Sequence, residues 1–249
     1  MAQEARNLDD EHADTEDRRY AYDFDYRMHE YVLRTFDPLL PKNGRALEMG
    51  CYKGEFTKRL LKRFNDVTVI EGASDLIAEA KKNAIAPAGK KVKFIEGQFE
   101  TVKQGEQFDA IFLIHTLEHL TDPLPVLKRI REWLSPNGKL FLVVPNANAP
   151  SRQIAVKMGL ISHNSAVTEG ERLHGHRCTY SLDTLERDAK EAGFNVHARG
   201  GVFFKPFANF QLDKMLSSGA ISEEYLEGCY QLGMTYPDLC ASIYLVCGK

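Results

Sequence analysis

The chain has no excess of basic residues. Lys and Arg number 32 against 35 Asp and Glu, for a formal net charge of -3 over 249 residues. A chain of that balance is poorly suited to neutralise a long run of phosphates, so no nucleic-acid partner is expected. Cysteine is sparse: Cys51, Cys178, Cys229, Cys240 and Cys247 are odd in number and none form a Cys-x-x-Cys pair. Neither a disulfide framework nor a zinc site is indicated. No apolar run approaches the ~20 residues that span a bilayer, so no membrane partner is expected. The acidic, polar N-terminus is unlike a signal peptide. A soluble, reducing, cytoplasmic setting is the expectation. There is no internal repeat and no low-complexity segment beyond the acidic first residues. What remains is a globular chain, 43% hydrophobic, long enough to bury a sizeable core as one elaborated α/β domain.

The organising stretch is Arg45-Ala-Leu-Glu-Met-Gly-Cys-Tyr-Lys-Gly-Glu-Phe-Thr57. Ala46 to Met49 reads as a short buried strand. Gly50 and Gly54 bracket a tight turn, and from Glu55 the apolar spacing becomes helical through Phe56, Leu60, Leu61 and Phe64. Glycine at such a turn permits positive φ and lets a ligand approach the backbone. Glu48, at the end of an apolar strand, needs a polar partner. A second strand, Val67-Thr-Val-Ile-Glu71, also ends in a carboxylate. A glycine turn followed about twenty residues later by a strand-terminal acid is the nucleoside-binding layout of doubly wound sheets. By itself the turn is also what any strand-to-helix junction uses.

Phe108 to Ile114 is nearly continuous in apolar residues, the mark of a strand covered on both faces. It runs into His115-Thr-Leu-Glu-His-Leu-Thr-Asp-Pro123, the most specific stretch in the chain. Leu134-Ser-Pro-Asn-Gly138 is a turn, and Lys139 to Val144 reads as the next strand.

With these motifs the chain resembles the class I S-adenosylmethionine-dependent methyltransferases, in their ubiquinone-type, small-molecule branch. The family's acid-x-Gly-x-Gly-x-Gly is matched by Glu48-x-Gly50-x-Tyr52-x-Gly54, with Tyr52 at the middle glycine. The "Leu-Glu-His-x-x-Asp-Pro" signature is matched from Leu117 to Pro123. The resemblance is good over residues 27 to 145 and holds only in outline beyond. It implies a doubly wound, mostly parallel seven-stranded sheet with S-adenosyl-L-methionine as cofactor. The implied cofactor site takes Glu48, Gly50, Cys51, Tyr52 and Gly54 from the first turn. Glu71 and Gly72 would hold the ribose, and Gln98 and Phe99 the adenine. Ile114 and His115 follow the fourth strand. N-terminal helices of the family lie across the cofactor mouth, which makes Tyr20, Tyr22, Tyr26 and Arg27 candidate contacts.

The implied organisation is an acidic tail over residues 1–19 and a methyltransferase domain over 20–249. Within it, 20–40 is a helical lid, and 150–180 and 205–238 are substrate-side insertions. The acceptor is expected to be a small molecule, methylated on a hydroxyl. Such a reaction needs alignment of nucleophile and methyl, and removal of a proton. Four histidines compete for that proton. His115 and His119 stand four apart, on one face if the segment is helical. His174 and His176 lie in the long segment Gly159 to Tyr180. No metal ligand set is evident. A non-catalytic cofactor-binding scaffold or regulator, suggested by Tyr52 and Gln98, is the alternative function. A nucleotide-dependent oxidoreductase is disfavoured by the fourth-strand signature.

Overall fold

The computed structural model describes residues 8–11 and 19–249; the rest of the acidic stretch lies outside the described residues. The strands are β1 (Arg45–Met49), β2 (Asp66–Glu71), β3 (Lys91–Glu96), β4 (Phe108–Ile114), β5 (Leu134–Pro145), β6 (Asn195–Phe204) and β7 (Cys240–Gly248). They form one seven-stranded sheet in the order β3-β2-β1-β4-β5-β7-β6. Only β7 runs antiparallel, against both β5 and β6. The doubly wound, mostly parallel sheet expected from the sequence is therefore present. The order reverses between β1 and β4, so a crevice opens at the carboxyl ends of those strands.

Helices cover both faces. On one side α2 (Asp23–Phe36), α3 (Glu55–Arg63), α9 (Asn209–Ser217) and α10 (Glu223–Thr235) contribute to a core holding Phe24, Phe36, Leu60, Phe112, Phe141 and Phe203. On the other, α5 (Pro123–Trp133) and α8 (Leu182–Glu191) pack over Leu113, Leu127, Leu142 and Leu185. α4 (Ser74–Asn83) follows β2, and α6 (Pro150–Lys157) follows β5.

Three local differences from the sequence reading have clear causes. Within the helical lid expected over 20–40, the helix α2 begins only at Asp23. Its first amides are capped from afar: the Asp213 carboxylate accepts from Asp23 and Phe24, and Asp25 accepts from Tyr22. β5 starts at Leu134 and absorbs the Ser135–Gly138 turn as an irregularity, because Gly138 packs on the Phe108 carbonyl, where a Cβ would come within 2.6 Å. Residues 159–180 are not an open loop. They contain α7 (Glu169–Leu173), and the partly buried Arg152 guanidinium of α6 ties Glu171 to the carbonyls of Asn164 and Ala166. The acidic tail is also interrupted. A single helical turn, α1 (Leu8–Glu11), sits at the crevice, with Leu8 against Gly72 and Glu11 ion-paired to Arg177 at 3.0 Å.

Gly50 joins β1 to the crevice. Its φ is 80°, and a Cβ there would lie 2.6 Å from Thr116 Oγ1. Gly50→Ala should therefore cost about 1–3 kcal/mol, from left-handed strain plus the clash. Urea unfolding of the variant beside the wild type checks this, and an unchanged midpoint would contradict the tight packing.

Candidate functional site

The crevice is a cavity of about 1280 Å³. A single small-molecule pocket holds about 300–1,000 Å³, so there is room for a cofactor and an acceptor together. Glu71 fixes the cofactor end. Its Oε2 accepts from the amides of Cys51 and Tyr52 at 3.0 and 3.3 Å, and its Oε1 from Gly72 and Ala73 at 2.7 and 3.0 Å. The end of β2 thus organises the turn after β1. Glu48 has the partner that burial demands, the Thr57 hydroxyl at 2.6 Å. Burial still pushes its carboxyl up to about 8.

The turn holds Tyr52 at φ 47°, left-handed for a residue with a full side chain. Its ring stacks on Tyr20, with centroids 5.0 Å apart, and Tyr20 meets His174 edge-on at 5.2 Å. The aromatic at the family's glycine position therefore extends the cavity wall toward the N-terminal segment and the loop before α8.

Of the residues expected at the cofactor, Glu48, Gly50, Cys51, Tyr52, Glu71, Gly72, Gln98, Phe99, Ile114 and His115 all line the cavity. Tyr20, Tyr22 and Tyr26 line it too. Two residues do not. Arg27 points away to a bidentate pair with Glu223 at 2.7 and 2.8 Å, on the outer face of α2. Gly54 opens α3 at φ 84°, and its missing Cβ makes room for Ala80 and Ala84 of α4. Its role is packing between helices.

The four histidines converge on the same cavity, but not by helical spacing. His115 has φ 49°, and only a 3-10 turn, Leu117–His119, follows it. His115 and His119 are therefore not neighbours on a helix face. His115 Nε2 is hydrogen-bonded to Ser242 Oγ at 2.8 Å, and its backbone amide donates to Val143. Burial lowers its pKa to about 4, with His176 and Lys205 adding to the effect. Burial likewise lowers His176 to about 4 and His29, against Phe56, to about 3. All three are neutral near pH 7.

His119 and His176 meet edge to face at 4.6 Å. One ligand atom from each of Glu118, His119 and His176 lies within 4.8 Å of the others. One carboxylate and two imidazoles form a donor set that suits a transition-metal ion. Both Glu118 carboxylate oxygens are buried with no hydrogen-bond partner among the described residues. Burial pushes Glu118 up to about 8. Sequence spacing hid this trio because its third member arrives from a loop almost sixty residues on. The Arg177 amide, donating to the Glu118 carbonyl at 2.7 Å, closes it. The sequence reading also missed His29, Lys205 and Ser242, which line the cavity from separate elements and belong to no motif.

Comparison with known proteins follows this geometry. Residues 18–199 match the sequence profile described as "Methyltransferase domain". The chain belongs to that family. It is similar to the ubiquinone biosynthesis O-methyltransferase of Aeromonas salmonicida, 26% identical over 68% of this chain and 71% of that one. The enzyme of the same name from Xanthomonas axonopodis is 25% identical over 72% and 73%. The fold is shared with a SAM-dependent methyltransferase of Leishmania major, at a TM-score of 0.61 and 20% identity, covering 90% of this chain and 73% of that one. It is also shared with the N-methyltransferase NodS of Bradyrhizobium japonicum, solved with S-adenosyl-L-homocysteine, at 0.57 and 15%, covering 91% and 87%. The chain is an S-adenosylmethionine-dependent methyltransferase. That assignment sets aside the oxidoreductase and favours catalysis over a non-catalytic scaffold. No helix among the described residues is long and apolar enough to cross a membrane.

The raised Glu118 pKa gives a signed expectation. The fold favours its neutral form, so that contribution is whole below the ordinary 4.5 and is lost as pH rises through about 8. In chelator-containing buffer, the wild type should therefore lose thermal stability relative to Glu118→Gln between about pH 5 and pH 8. Glu48 titrates alike in both proteins and cancels. Melting curves that stay parallel across that range would show that the carboxyl is not held neutral.

Proposed function

We propose that the protein methylates a hydroxyl of a small-molecule acceptor, with His115 receiving the proton. The observation that carries the proposal is the placement of His115. It stands beyond β4, buried, neutral and held by Ser242, on the acceptor side of the crevice from Glu71. Bound in the crevice, S-adenosylmethionine supplies a methyl group already activated by its sulfonium.

The residues then have separate tasks. Glu71 keeps the first turn in shape and offers its oxygens to the ribose hydroxyls. Gln98 can accept from the adenine amine and donate to a ring nitrogen. Tyr52 and Tyr20 wall the site toward solvent. His115 has a neutral imidazole, able to accept a proton from a hydroxyl brought within hydrogen-bond reach. His174 and His176 come from the loop that closes over the acceptor. If a cation occupies Glu118, His119 and His176, it would polarise an acceptor oxygen beside the same wall. The named activity of the relatives supports oxygen as the target.

Two variants separate these tasks. Glu71→Ala should weaken S-adenosylmethionine binding by roughly 1.5–3 kcal/mol, the range for hydrogen bonds to a charged group. Calorimetry giving wild-type affinity in a folded variant would remove Glu71 from the site. His115→Ala should leave that affinity nearly intact and lower turnover about a hundredfold or more. His174→Ala or His176→Ala should mainly raise the acceptor KM. The acceptor would first be identified by transfer of labelled methyl into cell extract. Steady-state kinetics then decide: unchanged turnover without His115 would move the base elsewhere, and its collapse in a loop variant would place it there.

A further inference from the structure

Three cationic side chains line the cavity among the described residues: Arg19, Arg177, which is paired with Glu11, and Lys205, which the proposed function does not use. Lys205 follows the last residue of β6, at the carboxyl edge of the sheet, and lines the cavity. Along that edge His115 follows β4, Pro145 ends β5, Ser242 opens β7, and Lys205 follows β6. Glu71 lies at the end of β2, on the other side of β4. A group meeting a methyl delivered from the Glu71 side would occupy the β5-β7-β6 side, where Lys205 stands.

The polar contacts around Lys205 leave it under-used. Asp25 is the charged group nearest to it in effect, yet both Asp25 oxygens are committed. Oδ2 accepts from the Tyr22 amide at 2.8 Å, and Oδ1 from Asn209 Nδ2 at 2.6 Å. That second bond fixes the Asn209 amide, whose Oδ1 accepts from Lys205 Nζ. Asp25 therefore reaches Lys205 through Asn209. Among the described residues no carboxylate pairs directly with Lys205. An ammonium has three donors, and Asn209 takes one. The Lys205 Nζ also lies 5.9 Å from the centre of the Phe24 ring, and burial lowers its pKa while Asp25 opposes the shift. A half-buried cation with hydrogen-bond donors to spare on a cavity wall calls for an anion.

We propose that Lys205, oriented by Asn209 and Asp25, is the anion-recognising residue of the acceptor subsite, and that the acceptor carries a carboxylate. The proposal rests on the methyltransferase reading of the cavity but is tested by binding, not turnover. The chain saturated with S-adenosylhomocysteine is titrated calorimetrically with acetate, benzoate and hexanoate, each beside its primary amide. Benzylamine is included because Asp25 could instead serve an amine.

For at least one pair the wild type should bind the carboxylate about tenfold or more tightly than the amide, as expected for a charge-assisted bond. Lys205→Met, which keeps the apolar stem, should bring the pair to within about twofold, and Lys205→Arg should keep the preference. Retained S-adenosylhomocysteine affinity shows that each variant is folded. If Lys205→Met fails that control, the Lys205→Gln variant takes its place. No carboxylate preference in any pair, a preference that survives loss of the charge, or a benzylamine preference lost in Asp25→Asn would each overturn the assignment. Failure to bind S-adenosylhomocysteine at all would instead count against the methyltransferase reading.

Discussion

The site depends on one carboxylate meeting four amides. Glu71 closes β2 and accepts from Cys51, Tyr52, Gly72 and Ala73. Two of these belong to the turn after the neighbouring strand and two to its own. The bonds clamp together the ends of β1 and β2, the two strands that border the cofactor end of the crevice. They also explain how the turn tolerates Tyr52 at φ 47°. A left-handed non-glycine residue persists only where its surroundings over-determine it. Here the amide of Tyr52 is bonded to Glu71 and its ring is stacked on Tyr20.

What was legible in the sequence follows from the range of the forces involved. Strand periodicity, glycine turns and strand-terminal acids are local patterns, so β1, β2, β4, the later part of β5 and the Glu48, Gly50 and Glu71 cluster were readable. Capping by a distant partner was not. The start of α2 is held by Asp213, 190 residues from Asp23. Arg27 was assigned to the cofactor by its place in the N-terminal helix, but its face is set by pairing with Glu223. Gly54 shows the converse. The motif keeps the residue, and here the need for it comes from α4, which lies too close for a side chain. Helical spacing paired His115 with His119, whereas the chain pairs His119 with His176.

The crevice is organised by burial more than by charge. His29, His115 and His176 are all driven toward the neutral form, and Glu118 and Glu48 toward the protonated one. In each case desolvation is the leading cause, because water that would solvate an ion has been replaced by ring and aliphatic walls. A sulfonium entering such a place meets few full charges. It is favoured by ring faces and carboxyl groups near it, and its reaction, which destroys the positive charge, is helped by a weakly polar setting.

That setting also decides what an acceptor must bring. Burial lowers the Lys205 pKa and Asp25 opposes that shift, so the relay works to hold a charge where most ionisable groups are neutral. Asp25 is held by the Tyr22 amide and by Asn209, and Asn209 is thereby turned to hold Lys205. The relay ties α2 to the start of α9 and to the end of β6, elements that otherwise only border the acceptor side. A neutral acceptor would offer the remaining donors of Lys205 only uncharged partners, which hold a cation more weakly than a carboxylate does. An anionic acceptor satisfies them and adds the opposite charge near the sulfonium. The same arrangement therefore favours both partners of the reaction being bound together, since the acceptor's carboxylate supplies the negative charge that the sulfonium and Lys205 both lack.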